Sequence, residues 1–286
     1  MIRSTLAPFC ALGSLLSGAQ APALDWQHGY GGGQQERFIG GTLTDDGGYV
    51  FTGESMGIGG DVTMNHGFLD VWVVKLDAQG ELAWQTSLGG TSMEQGHKIL
   101  QTTDGGYFVL AFSGSADGDV IGQHGQGDAW VFKLTANGSL DWQRMLGGSL
   151  EDDMWGLEQT PDGGYVLAGF CGSSEDGDVQ GSHGSADAWL VKLDAEGTLE
   201  WQKPFGGSAL DGFSNVRQLV DGGFICVGHT WSSDGDVTTN HGGGDAWVVR
   251  TDASGELLWE LAVGGSDGEG ASDVEVTPDG EFMIGG

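Results

Sequence analysis

The chain has 286 residues, with 41 Asp and Glu against 10 Lys and Arg, for a formal net charge of −31. A charge of that sign excludes nucleic acid and anionic membrane as partners and favours cations or basic surfaces, although it also simply keeps a Gly-rich β protein in solution. Fifty-six glycines beside five prolines suggest low complexity, but eleven tryptophans argue for a packed core, since disordered chains are poor in aromatics.

The first 21 residues have the pattern of a secretory signal peptide: a positive start at Arg3, a short apolar stretch from Leu6 to Leu16, and a small-x-small cleavage site at Ala19-Gln20-Ala21. That stretch is too short to span a bilayer, so export without membrane insertion is expected. Residues 22–286 remain as one domain. Of the three cysteines, Cys10 lies in the leader. Cys171 and Cys226 occupy different repeat positions, which suits two buried thiols better than a bridge.

Beyond the leader, a block close to DAWVVKLDAxGxLxWQxxLGG returns four times. The histidines His66, His124, His183 and His241 are 58, 59 and 58 residues apart, and Trp84, Trp142, Trp201 and Trp259 keep the same steps. A repeat of this length marks a propeller or solenoid. In the unit spanning residues 97–146, strand A is expected from His97 to Thr102, with a turn at Asp104-Gly105-Gly106 and strand B from Tyr107 to Phe112. A long Gly/Asp segment from Ser113 to Gly127 leads to strand C, Ala129–Leu134. A turn at Ala136-Asn137-Gly138 then gives strand D, Leu140–Leu146. Strand C is apolar on both faces, with Trp130, Phe132 and Leu134 on one and Ala129 and Val131 on the other, so it is covered on both sides. The expected fold is all-β: a β-propeller of four-stranded antiparallel blades, with tryptophans filling the gaps between neighbours.

The unit count leaves two readings open. Trp26 sits in a lone strand D (Leu24-Asp25-Trp26-Gln27), four complete units follow, and the chain ends at Phe282-Met283-Ile284 inside a fifth strand B. This gives about five blades with the last incomplete, or an arc of a larger ring, and a C-terminally truncated sequence is expected.

The B–C and D–A connections emerge on one face and the tight turns on the other, so any site is expected on the first. The B–C loops carry Asp117, Asp119, His124 and Asp128, then Asp176, Asp178, His183 and Asp187, then Asp234, Asp236, His241 and Asp245; unit one keeps Asp61, His66 and Asp70. Carboxylates on a glycine-rich loop can present oxygens to calcium, the candidate cofactor. Calcium wants six to eight ligands, so the D–A acids Glu151, Asp152, Asp153 and Asp211, carbonyls or water would have to complete the shell. A transition ion would suit direct ligation by His124 better. The competing reading is architectural: Asp before Gly makes Asx-turns, and an Asp four residues after a His holds its ring. Repetition in every unit favours it, because a catalytic site needs one special location. The bases Lys75, Lys133, Lys192 and Arg250 are expected to pair with adjacent acids. Trp155 and Trp231, outside the tryptophan schedule, suit either sugar stacking or gap filling.

Asp128-Ala129-Trp130, Gly147-Gly148 and Asp162-Gly163-Gly164-Tyr165, with their repeats, resemble bacterial secreted β-propeller repeat proteins, whose units look like DAWVVKLxxxGxxxWxxxLGG followed by DGGYVLAG. The resemblance covers about residues 24–286. It implies a secreted or cell-surface location in a bacterium, often with adhesion or sorting modules following, and mostly no assigned activity. A more distant likeness links Leu193-Asp194-Ala195-Glu196-Gly197 and Trp201 to the tryptophan-docking motif of quinoprotein dehydrogenases, where it is structural; the adjacent cysteine pair of that group is lacking. No HExxH or GxxxxGK[ST] pattern occurs either. The expected function is therefore a non-catalytic, monomeric structural or binding module, stabilised by calcium, with a protein or glycan ligand on its loop face. The alternative is an extracellular propeller enzyme acting on glycans or alcohols, which requires an asymmetric pocket with unrepeated acids near the ring axis.

Overall fold

In a computed structural model, which describes residues 26–172 and 175–286, the short apolar stretches fold as antiparallel strands. The signal-peptide reading and residues 24 and 25 lie outside the described residues. Blade one comprises β1 (Glu36–Leu43), β2 (Tyr49–Ser55), β3 (Asp70–Leu76) and β4 (Leu82–Leu88). Blade two comprises β5 (Glu94–Gln101), β6 (Tyr107–Ser113), β7 (Asp128–Leu134) and β8 (Leu140–Leu146). Blade three follows as β9 (Asp152–Gln159), β10 (Tyr165–Cys171), β11 (Asp187–Leu193) and β12 (Leu199–Phe205), and blade four as β13 (Asp211–Gln218), β14 (Phe224–Thr230), β15 (Asp245–Thr251) and β16 (Leu257–Val263). A hairpin of β17 (Asp273–Val276) and β18 (Phe282–Gly285) packs on blade four, and the sheets do not close into a ring.

Each hairpin is set by its turn. At the A–B turn of blade one, Gly47 has φ +81°, where a side chain is strained. Asp46 accepts from the Gly48 amide at 2.9 Å and from Lys75 Nζ at 2.8 Å. The other blades repeat the pairing as Lys133 with Asp104, Lys192 with Asp162 and Arg250 with Asp221, so the four bases do pair with adjacent acids.

Strand A carries the main departure from expectation. Its pairing with strand B skips one residue in every complete blade, at Ile39, His97, Trp155 and Ser214. This β-bulge interrupts the two-residue alternation and re-aims the side chain at that point. Strand A of blade two consequently begins at Glu94, three residues before the expected start. Trp26 also differs: residues 26–30 are not a strand, yet the Trp26 ring meets Tyr49 edge-on at 5.7 Å and covers Gly80.

The core lies between blades. Ala129 and Val131 of β7 face blade three, in a cluster with Met154, Tyr165 and Trp189; Trp130, Phe132 and Leu134 face blade one, with Val50, Val71 and Val73. The strand-C indoles Trp72, Trp130, Trp189 and Trp247 are fully buried. Burying ~150–250 Å² of each contributes at most about 4–6 kcal/mol. Each indole N–H is also satisfied, donating to Gln85, Gln143, Gln202 or Glu260 on strand D at 2.7–3.0 Å. The strand-D indoles are half-buried and cover the glycine of the next blade's C–D turn: Trp84 over Gly138, Trp142 over Gly197 and Trp201 over Gly255. Trp259 is 40% exposed.

Urea denaturation should order these tryptophans by burial. Trp130→Ala is expected to cost ~3–5 kcal/mol as a fully buried truncation, Trp142→Ala less, and Trp259→Ala least. Equal losses at Trp130 and Trp259 would contradict the interblade role.

Candidate functional site

Two regions combine polar side chains with restricted access: the blade junctions on the loop face, and the inner edges of the blades, where the strands A converge. The junctions contain the repeated Asp and His residues, and each of these aspartates accepts from a backbone amide through one of its oxygens. In blade two, Asp119 N donates to Gly89 O at 2.9 Å and Asp119 Oδ2 accepts from Gly89 N at 3.3 Å. Asp178 clamps Gly147, Asp236 clamps Gly206 and Asp61 clamps Gly31 in the same way. The preceding acids Asp117, Asp176 and Asp234 accept from the amides of Thr91, Ser149 and Ser208 at 2.7–3.0 Å. Those hydrogen bonds hold Asp176 and Asp234 below the ordinary carboxylate range.

Asp70, Asp128, Asp187 and Asp245 open strand C, fully buried, and each accepts the amide of the histidine four residues earlier. The ring contact varies. His66 and His241 place Nδ1 2.7 and 2.8 Å from their aspartates, whereas His124 and His183 stand at 3.6 and 3.4 Å. His66 also reaches blade two, with Nε2 3.5 Å from Asp119. Backbone pairing completes the junction: Asp152 N donates to Gly127 O at 3.0 Å and Asp211 N to Ala186 O at 2.9 Å.

One oxygen per junction is left over. The Oδ1 atoms of Asp70, Asp128, Asp187 and Asp245 are buried without a hydrogen-bond partner. A second carboxylate lies beside each. A Cβ on Gly147 would stand 2.6 Å from Asp128 Oδ1 and 2.8 Å from Asp152 Oδ2, and Gly89, Gly206 and Gly264 occupy the matching places. Only glycine fits between the paired acids. Burial, with the neighbouring acid, raises the Asp70 and Asp187 pKa values, and pushes Asp128 up to about 6. As placed, no group of three or more His, Cys, Asp or Glu side chains among the described residues converges as metal ligands.

The strand-A region is the one that sequence reasoning missed. Its bulged residues differ from blade to blade, and the repeat pattern is silent where the repeat breaks. A cavity of about 400 Å³ is lined by Ile39, Gly40, Gly41 and Thr42 of β1, His97 to Leu100 of β5, Leu157 of β9 and Arg217 of β13. His97 Nδ1 lies 3.0 Å from Met154 O and 3.4 Å from Asp153 Oδ1. Burial lowers the His97 pKa and pushes Asp153 up to about 8. The cavity is asymmetric, but its wall carries bases and no carboxylate.

Of the unscheduled tryptophans, Trp155 packs within blade three, 5.4 Å from the Phe170 ring, while Trp231 stands 52% exposed on the loop face over Gly244. Cys171 and Cys226 are free, buried thiols in different interblade layers, and burial raises both their pKa values. Gly264-Gly265-Ser266-Asp267-Gly268 has the spacing of a nucleophile elbow, but it connects two strands and leads into no helix. No helix among the described residues is long and apolar enough to cross a membrane.

No family model matches the chain, and no curated protein matches it. Solved structures do. A Dyadobacter fermentans protein of unknown function is 13% identical at TM-score 0.50, over 89% of this chain and 77% of that one. A Bacteroides caccae protein of unknown function is 16% identical at TM-score 0.44, over 79% and 67%. BamB from Moraxella catarrhalis is 14% identical at TM-score 0.37, over 78% and 61%. These likenesses concern the fold alone; the repeated four-stranded blades fit a repeat propeller.

The raised carboxyl pKa values fix the sign of a pH effect. A carboxyl with a folded pKa above its unfolded value of about 3.8 contributes stability that is complete below that value and lost as pH rises through the folded pKa. Thermal melts should therefore fall between about pH 5 and about pH 9, with Asp128→Asn flattening the lower part and Asp153→Asn the upper. His97 and His229, whose pKa values burial lowers, oppose the trend below about pH 6.5 and make the lower limb shallower. A melting temperature unchanged between about pH 7 and about pH 9 would contradict the placement of Asp153.

Proposed function

We propose that the chain is a non-catalytic propeller, exported to the outside of a bacterial cell, that serves as a structural or binding module and meets a protein or glycan through its loop face. Export rests on the leader pattern of residues 1–21 and on the resemblance to secreted repeat proteins. The observation that carries the binding role is the loop face itself. Each of its repeated aspartates is engaged by a backbone amide, whereas Ile58, Met64, Phe68, Ile121, Leu210 and Trp231 remain exposed there. Trp231 has no counterpart in the other units, and an indole exposed in this way can stack on a sugar ring or an apolar side chain.

Affinity electrophoresis against soluble polysaccharides tests the glycan arm. The native protein should be retarded by at least one of them, and Trp231→Ala should weaken binding about tenfold, or about 1.4 kcal/mol. Unchanged retardation would remove Trp231 from the site.

The four unpartnered Oδ1 atoms favour a second element of this reading, calcium at the blade junctions. Asp128, Asp152 and Asp178 surround Gly147, and Asp187, Asp211 and Asp236 surround Gly206; they would supply oxygens there, and main-chain carbonyls and water would complete a shell of six to eight. A chelator should then lower the melting temperature, and replacing Asp119 and Asp178 with Asn should abolish the response. A melt indifferent to chelator would refute calcium and leave the junctions as proton-sharing acid pairs.

A further inference from the structure

Strand A is where the units diverge. One position is occupied in turn by Gly40, Lys98, Gly156, Asn215 and Asp273, and the position two residues on by Thr42, Leu100, Glu158, Arg217 and Glu275. Lys98 of blade two reaches blade four, where its Nζ lies 3.3 Å from Asn215 Oδ1, and Gly156 of the blade between has no side chain to obstruct it. The contact spans blade three, and beside it lies the cavity of about 400 Å³, a size typical of small-molecule sites.

The charge in this place is opposite to that of the molecule as a whole. In a chain with 41 acids, Lys98 has no carboxylate within ion-pair distance among the described residues, and its partner is a neutral amide. Arg217 adds a second positive charge to the wall, while its far side is held by Glu275 at 2.9 Å. Burial, and then the Arg217 charge, push the Lys98 pKa below that of an ordinary lysine, as befits an ammonium lacking a counter-ion. Beside these bases Ile39, Ile99, Leu100 and Leu157 contribute the apolar part of the wall.

We propose that the axial cavity binds a small organic monoanion, its carboxylate against Lys98 and its aliphatic body against Ile39, Leu100 and Leu157. One unpaired ammonium matches one negative charge. The site is separate from the loop-face reading, since the cavity is lined by the halves of β1 and β5 that run towards the A–B turns.

Octanoate is the probe, titrated calorimetrically into the full chain, with 1-octanol as the neutral competitor. Saturable binding of one octanoate per chain is expected, with octanol failing to displace it. Lys98→Met should weaken binding at least about tenfold, about 1.4 kcal/mol. Thr42→Trp, which fills the cavity and leaves Lys98 in place, should do the same and serves as the test if Lys98→Met fails to fold. Lys203→Met, at a half-buried lysine of β12 paired with Glu256, and Trp231→Ala should bind octanoate like the native chain. Absence of saturable binding, displacement by octanol, or native affinity in the folded Lys98→Met and Thr42→Trp variants would overturn the proposal.

Discussion

The burial of one indole per blade between neighbouring sheets is the interaction on which the remaining structure depends. A four-stranded sheet with both faces of strand C apolar has no stable existence alone, and Trp72, Trp130, Trp189 and Trp247 turn that instability into stacking. The indole N–H would be a cost in such a place, and the Gln or Glu of strand D removes it. In blades two and three the same glutamine continues outward: Gln143 Nε2 donates to Asp119 O and Gln202 Nε2 to Gln180 O. The core residue, the outer strand and the B–C loop are thus one hydrogen-bonded unit, which is why the loop sequence repeats as faithfully as the core.

That coupling explains what was legible in the sequence. Strand D of blade two falls on Leu140–Leu146, as the spacing indicates, and strand C begins only one residue early, at Asp128, which pairs with Ser113. Trp26 loses its strand but keeps its function as a cover over Gly80. Strand A was legible only in its second half. A bulge at His97 puts Gly96 opposite Ala111 and Lys98 opposite Leu110, so the alternation that identifies a strand breaks within it. The loop acids were legible as a group, but their partners were not. That Asp119 holds Gly89, thirty positions away, follows from the register of two loops in space, which no local pattern encodes.

The buried acids show how a strongly acidic chain can place like charges together. Asp128 and Asp152 approach the same glycine because each has a separate architectural task, one accepting the His124 amide and the other the Gly148 amide. The second oxygen of Asp128 is left on the same glycine as the Asp152 oxygen that accepts from Gly148. Burial then raises the cost of ionising both, and a proton or a cation relieves it. The junction is therefore sensitive to the medium without being built around a reaction.

Repeated and unrepeated residues consequently answer different questions. A residue needed to join one blade to the next must recur at every joint, as Gly147, Asp178 and their counterparts do. A residue that recognises a ligand on the axis must not, because the axis is shared by all blades and five identical lysines would repel one another across it. The bulge permits this division. It sits at the same place in all four complete blades, so the backbone stays regular, yet it frees the neighbouring side chain from the alternation that core packing imposes. Gly40 and Gly156, flanking Lys98 in the adjacent blades, are the counterpart of that freedom: a Cβ at Gly40 would stand 2.6 Å from His97 O, and one at Gly156 3.1 Å from the Asn215 Cα. Close approach of the blades and a single projecting ammonium are thus two results of the same alternation between glycine and a long or polar side chain, and it is this alternation, rather than any motif, that gives the axis its asymmetry.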